Sequence, residues 1–136
     1  MQDAKQIYYT YIWIPCKAEH FDELVTQLFI FDCSVNCGIF KASSLFQEGL
    51  NLILDDKSQL DVDGIIGAKT IAAYNKVVAS GFLSFLLNIL KLLRGGYYLH
   101  IATRDTTQKR FLRGWINRNN DVFNLDTLSK LASNNE

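Results

Sequence analysis

The chain has 136 residues and a mass of 15.5 kDa, which sets one domain, residues 1–136, as the expectation. Hydrophobic residues make up 49% of it, enough for a real core, and 14 Lys+Arg balance 14 Asp+Glu. Zero net charge argues against a nucleic-acid binder driven by phosphate neutralisation, which would carry a basic excess.

The start of the chain, MQDAKQIYYT, lacks a basic region followed by an apolar run, so no cleaved secretory signal is expected. Synthesis in the cytoplasm follows, with any action at the cell wall or periplasm needing another release route. One proline, Pro15, and apolar residues recurring at helical spacing predict an all-α domain. The first helix is expected over Asp3 to Trp13, stopped by Pro15. A long helix should follow from Ala18 to Cys37, ended by Gly38.

That long helix has an unusual stripe. Asp32 and Asn36 fall on the face that Phe21, Val25 and Leu28 make apolar. Polar side chains there must find partners or line a wet cleft. Two readings stand: a structural hydrogen-bond network, or a groove floor.

The cysteines fall in the same region. Cys16, His20, Cys33 and Cys37 form C-x3-H and C-x3-C, two pairs at i,i+4 that could share a helical face as zinc ligands. The spacing matches no familiar finger. The alternative is that these are small apolar helix residues, since unligated Cys is commonly buried. An odd count with no signal does not indicate a disulfide framework.

Further helices are expected over Lys41–Leu54, Ala68–Ala79, Phe82–Leu93, Gly96–Thr103 and Thr106–Asn117, the last capped by Thr106 or Thr107. The apolar run Phe82 to Leu93 is too short to span a bilayer and carries Asn88 and Lys91, so it reads as a buried core helix. The tail DTLSKLASNNE is expected to add a short turn or fray. Acids dominate Asp55 to Asp63, whereas Lys109, Arg110, Arg113 and Arg118 crowd one C-terminal segment, giving two solvated faces.

Between the third and fourth helices lies DVDGIIGAKTIAAYN, Asp61 to Asn75. An EF-hand would need a ligand where Gln59 stands and a Glu where Thr70 stands. A phosphate loop would need a leading glycine before Lys69-Thr70 and a preceding strand. What remains is a turn: Asp63 and Gly64 bend the chain, with Gly64 at positive φ. Ile65 and Ile66 are expected in the core. Gly67 should allow close passage, and Thr70 should lead into the helix.

Those residues carry a family likeness. VDGIIGAKTIAAYN resembles the D-G-x-x-G-x-x-T turn-and-helix of bacterial peptidoglycan-binding domains. IYYTYIW, LFIFDCSVNCG, LFQEGLN, R-x-x-Y-Y at Arg94 to Tyr98 and FLRGWINR (which includes Trp115) occur in that order. The order resembles the C-terminal part of the phage and bacterial N-acetylmuramidases, or secretion activator proteins, of glycoside hydrolase family 108. The likeness covers residues 4–118 and leaves 119–136 divergent.

The departures are as informative. The family's catalytic module bears an E-G-G-Y-type motif with the expected general acid, and this chain contains no E-G-G. The family's Y-W-D-P is Ile12-Trp13-Ile14-Pro15, and its Gly-Pro before Lys-Thr is Gly67-Ala68. The resemblance therefore implies a lysozyme-like, peptidoglycan-binding domain without its acid half, and no cofactor. Asp32 is the only candidate acid. Sugar contacts are expected at Tyr11, Trp13, Asp32, Asn36 and Tyr98, with Trp115 and Tyr97 reading as core. Two other readings are a muramidase completed by a Glu from another chain, and a protein-interaction remnant. The latter would dimerise or bind a partner through an exposed patch of Ile12, Trp13 and Ile14.

Overall fold

The computed structural model describes residues 3–122. Six α-helices account for most of them, and the described residues contain no strand. The expected tail turn and residues 123–136 lie outside the described residues.

Helix α1, Ala4–Tyr8, opens at Asp3, whose carboxylate accepts the Gln6 N–H at 2.8 Å. It continues into a π-helical turn, Tyr9–Trp13, in which the Ile14 N–H reaches the Tyr9 carbonyl five residues back. Pro15 then ends the helical run. Lys17, at φ 65°, turns the chain into a single 3-10 turn, Ala18–His20.

Helix α2 runs over Leu24–Cys37, so the long helix predicted from Ala18 is interrupted. The interruption has a packing cause. Phe21 takes an extended backbone (φ −102°, ψ 136°) and drives its ring, 1% exposed, between Phe46 and Tyr74. Its freed carbonyl is satisfied by the Gln27 side chain. Burial of one aromatic side chain outweighs the three residues of helix, Phe21 to Glu23, that are given up.

Gly38, at φ +89°, turns α2 directly into α3, Ile39–Asn51. Every residue from Ala42 to Gln47 is buried, so α3 is the central helix. Its Gly49 lets the next layer approach, since a Cβ there would lie 2.7 Å from a Leu90 methyl. The loop after α3 is tied by Asn51, which both donates to and accepts from the Leu60 backbone, at 2.9 and 2.7 Å.

Helix α4, Ala68–Ala79, buries Thr70, Tyr74 and Val77. Helix α5 is one continuous run, Leu83–Arg104, where two helices separated at Arg94-Gly95 were expected. Gly96 is open to solvent, and Arg94 and Tyr98, a hydrogen-bonded i,i+4 pair, bridge the glycines. Asp105, rather than Thr106 or Thr107, caps the final helical segment, accepting the Thr107 N–H at 3.1 Å. Helix α6, Lys109–Val122, is the most polar, and Asn119 is its one buried residue. No helix of the described residues is long and apolar enough to cross a membrane.

Candidate functional site

Asp32 resolves the polar stripe on α2. The residue is 8% exposed, and guanidinium groups hold both carboxylate oxygens. Arg94 Nη2 of α5 donates to Oδ2 and Arg118 Nε of α6 to Oδ1, each at 2.6 Å. Arg94 is itself fully buried, and its Nε donates to the Tyr98 hydroxyl at 2.7 Å. Such charge-assisted bonds offset the desolvation of both charges. Tyr98 stacks on Trp115 with centroids 5.2 Å apart and planes at 21°. Asn36 is exposed and donates to the Asp32 backbone carbonyl at 2.9 Å. The cluster thus joins α2, α5 and α6 as a structural network. Tyr98, expected along a groove wall, is 1% exposed and cannot stack on a ligand.

A cleft of about 710 Å³ opens at the N-terminal arm. Tyr8, Tyr9, Trp13 and Phe31 supply its aromatic surface, and Asp3, Lys5 and Gln6 its polar edge. Trp13 and Tyr8 meet the Phe31 ring edge-on, at 5.6 and 6.3 Å. Tyr8 and Trp13 are five residues apart, and the π-helical turn between them brings both to one face. This geometry was not visible in a 3.6-residue period. Tyr11, a predicted contact, is 61% exposed and lies outside the cleft lining, whereas Tyr9, not predicted, lines it. Phe31 and Asp32 are successive on α2 and so point to different sides of the helix. Trp13 and Asp32, expected in one groove, belong to separate surfaces. Ile12 is half-buried and Ile14 is exposed.

The D-G-x-x-G-x-x-T turn is held by a residue the motif does not name. Gln47 of α3, 1% exposed, accepts the Gly64 N–H at 3.0 Å. Its amide nitrogen lies within 3.2 Å of Asp63 Oδ1, the Ile65 carbonyl and Thr70 Oγ1. Asp63 also accepts the Ile65 N–H at 3.0 Å, and Gly64 sits at φ +75° as the turn requires. These bonds favour the charged carboxylate of Asp63 and hold its pKa below the usual value. Of the two isoleucines, Ile66 enters the core and Ile65 remains 67% exposed. Gly67 has no atom within 4 Å of where a Cβ would sit, so close passage is not its role. A polar pocket of about 330 Å³ lies against this turn, edged by Asp61, Asp63, Lys69 and Gln59.

The four possible zinc ligands do not converge. Cys16 is buried with its thiol on the Trp13 carbonyl, and His20 is exposed. Among the described residues no three His, Cys, Asp or Glu side chains are grouped to hold a metal ion.

The described residues thus form an all-α scaffold that carries an aromatic cleft and a side-chain-clamped surface turn. The family described as predicted peptidoglycan domain matches residues 41–120, and the chain belongs to that family. The match spans the Gln47-clamped turn, Arg94, Tyr98 and Arg118, and it gives peptidoglycan as the ligand class. No curated protein matches the chain, and no solved structure matches it.

Proposed function

We propose that this domain binds the glycan strands of peptidoglycan and does not cleave them on its own. The observation that carries the reading is the aromatic cleft on a chain of a predicted peptidoglycan domain family. Sugar rings present apolar C–H faces and a rim of hydroxyl and amide groups. Tyr8, Tyr9, Trp13 and Phe31 offer matching flat surfaces, and Asp3, Lys5 and Gln6 offer hydrogen-bonding partners at the edge. The relation to muramidases of glycoside hydrolase family 108, and a lysozyme-like ancestry, belong to this reading and rest on the motif order described above.

The non-catalytic part rests on Asp32. Glycoside hydrolysis needs a protonated carboxylic acid and a second carboxylate, about 5–9.5 Å apart. Both Asp32 oxygens accept guanidinium bonds, which leaves neither to protonate a leaving group. Glu23 is engaged as well, accepting the Tyr74 hydroxyl at 2.6 Å.

The test is co-sedimentation with purified sacculi, run beside turbidity clearing of permeabilised cells. The wild-type chain should be retained and should clear nothing. Tyr8→Ala with Trp13→Ala should weaken retention about tenfold, as loss of central aromatic contacts does. Retention unchanged in that variant would overturn the cleft as the contact. Clearing by the chain alone would overturn the non-catalytic reading. Ile14→Asp is the control for a protein partner. It should leave sacculus retention intact, and dimerisation lost in that variant would favour an interaction role instead.

A further inference from the structure

The family match and the aromatic cleft occupy different parts of the chain. The match covers residues 41–120, whereas the cleft is built from Asp3 to Trp13 and Phe31. Another cavity, of about 570 Å³, lies wholly inside the match, between α5 and α6. Small-molecule sites are commonly about 300–1,000 Å³. Two glycines of α5 shape this groove in different ways. At Gly95 the helices close, since a Cβ there would lie 3.4 Å from Asn119 Nδ2. At Gly96 no atom lies within 4 Å of a Cβ position, so the groove stays open. Leu92 and Leu99, 76% and 52% exposed, and Ile116 of α6 give it apolar walls.

Asn119 forms the inner side of the groove. The residue is 4% exposed and lines the cavity. Its Nδ2 donates to the Lys91 carbonyl at 3.0 Å, which fixes the orientation of the amide. Its Oδ1 is buried, and among the described residues no donor reaches it. A buried carbonyl without a donor is costly, and a ligand that brings an N–H to it recovers that cost. Lys91 and Asn120 stand beside it with further donors, and Asn88 offers a second carboxamide.

We propose that the α5–α6 groove binds the acetamido group of an N-acetylated amino sugar in a peptidoglycan strand. The acetamido N–H donates to Asn119 Oδ1. The Lys91 and Asn120 side chains swing aside to admit it, and their donors then close on the acetamido oxygen. The methyl packs between Leu92 and Leu99, over the space that Gly96 leaves. Asn88 meets the hydroxyls of the ring. A secondary amide with a small apolar group satisfies every one of these features at once. A sugar with a plain hydroxyl at that carbon has neither the methyl nor the carbonyl, so the groove rejects it.

This second site rests on the peptidoglycan reading of the family and not on the aromatic cleft. With both in place, one strand is held at two separate positions, and each adds to retention on the wall.

The experiment is an amide NMR titration of the isotope-labelled whole chain with tri-N-acetylchitotriose, beside cellotriose. The Asn119 side-chain amide and the Gly95 and Gly96 backbone amides should shift with the first sugar and stay in place with the second. Asn119→Leu should weaken binding about tenfold, as loss of one buried hydrogen bond does. That change also removes the bond to the Lys91 carbonyl. Gly96→Leu is therefore the second variant: it fills the groove from an exposed position, leaves that bond alone, and should weaken binding by about tenfold or more. Tyr8→Ala with Trp13→Ala should leave the groove shifts unchanged. Equal shifts from cellotriose, or wild-type binding in Gly96→Leu, would overturn the proposal. Shifts confined to Tyr8, Trp13 and Phe31 would also overturn it and leave the cleft reading standing. Shifts in the groove alone would uphold it and count against the cleft.

Discussion

At the scale of single residues, Arg94 decides how the centre holds. Among the described residues it is the largest fully buried side chain, and it pairs with Asp32 across two helices. Removing one member of a buried pair leaves an uncompensated charge, typically at a cost of about 3–5 kcal/mol. Asp32 retains Arg118, so Arg94→Met should lose about 3 kcal/mol in urea unfolding, at the lower end of that range. Replacing both members with apolar residues is commonly near neutral. Arg94→Met with Asp32→Leu should therefore recover most of the loss. A double variant no more stable than the single would show that the pair is not the source. The polar residues on the α2 stripe were legible in the sequence as an anomaly. Their outcome was not, because periodicity along one helix contains no information about Arg94 and Arg118, which lie 62 and 86 residues away in the chain. Gln47 was hidden for the same reason. It stood in the quoted LFQEGLN segment, but a buried amide announces its partners only once α3 and the turn are placed together.

At the scale of elements, what was readable depended on whether local propensity or tertiary packing set the boundary. α4 was expected over Ala68–Ala79 and is found there, because Gly67 and the Gly81 turn bracket an unbroken apolar period. α5 was expected to break at Arg94-Gly95, yet glycine only weakens a helix, and the flanking Leu90 and Tyr98 are both buried. The two glycines are not equivalent. A Cβ on Gly95 would meet Asn119 Nδ2 at 3.4 Å, whereas one on Gly96 meets nothing. Gly96→Ala should therefore stabilise the domain by about 0.5–1 kcal/mol in thermal unfolding, and Gly95→Ala by less. Equal gains, or a loss at Gly96, would mean that the pair serves something other than helix continuity. The π-helical turn at Tyr9–Trp13 lies beyond reach of a 3.6-residue template, and it decides which aromatic residues line the cleft.

At the scale of the whole molecule, the all-α class followed directly from the spacing of apolar residues and the scarcity of proline. The separation of the cleft, the ion cluster and the clamped turn did not. The aromatic cleft and the pocket at the clamped turn share no lining residue, and the ion cluster between α2, α5 and α6 is largely buried. The Asp32 cluster has a further consequence for how the domain comes apart. α6 is held by a Trp115–Tyr98 stack, by Val122 packed against the core, by one Asn119 bond to the Lys91 carbonyl at 3.0 Å, and by an Arg118 side chain that is 55% exposed. A pair with an exposed member is worth about 0–1 kcal/mol and is screened by salt. The amides of α6 should then exchange with deuterium through a local opening that quickens at high ionic strength. Those of α3, buried from Ala42 to Gln47, should wait for global unfolding. A single opening free energy for both helices would refute this. With separate openings, α6 behaves as a hinged cover whose release bares the ring of Tyr98 while the central helix stays folded.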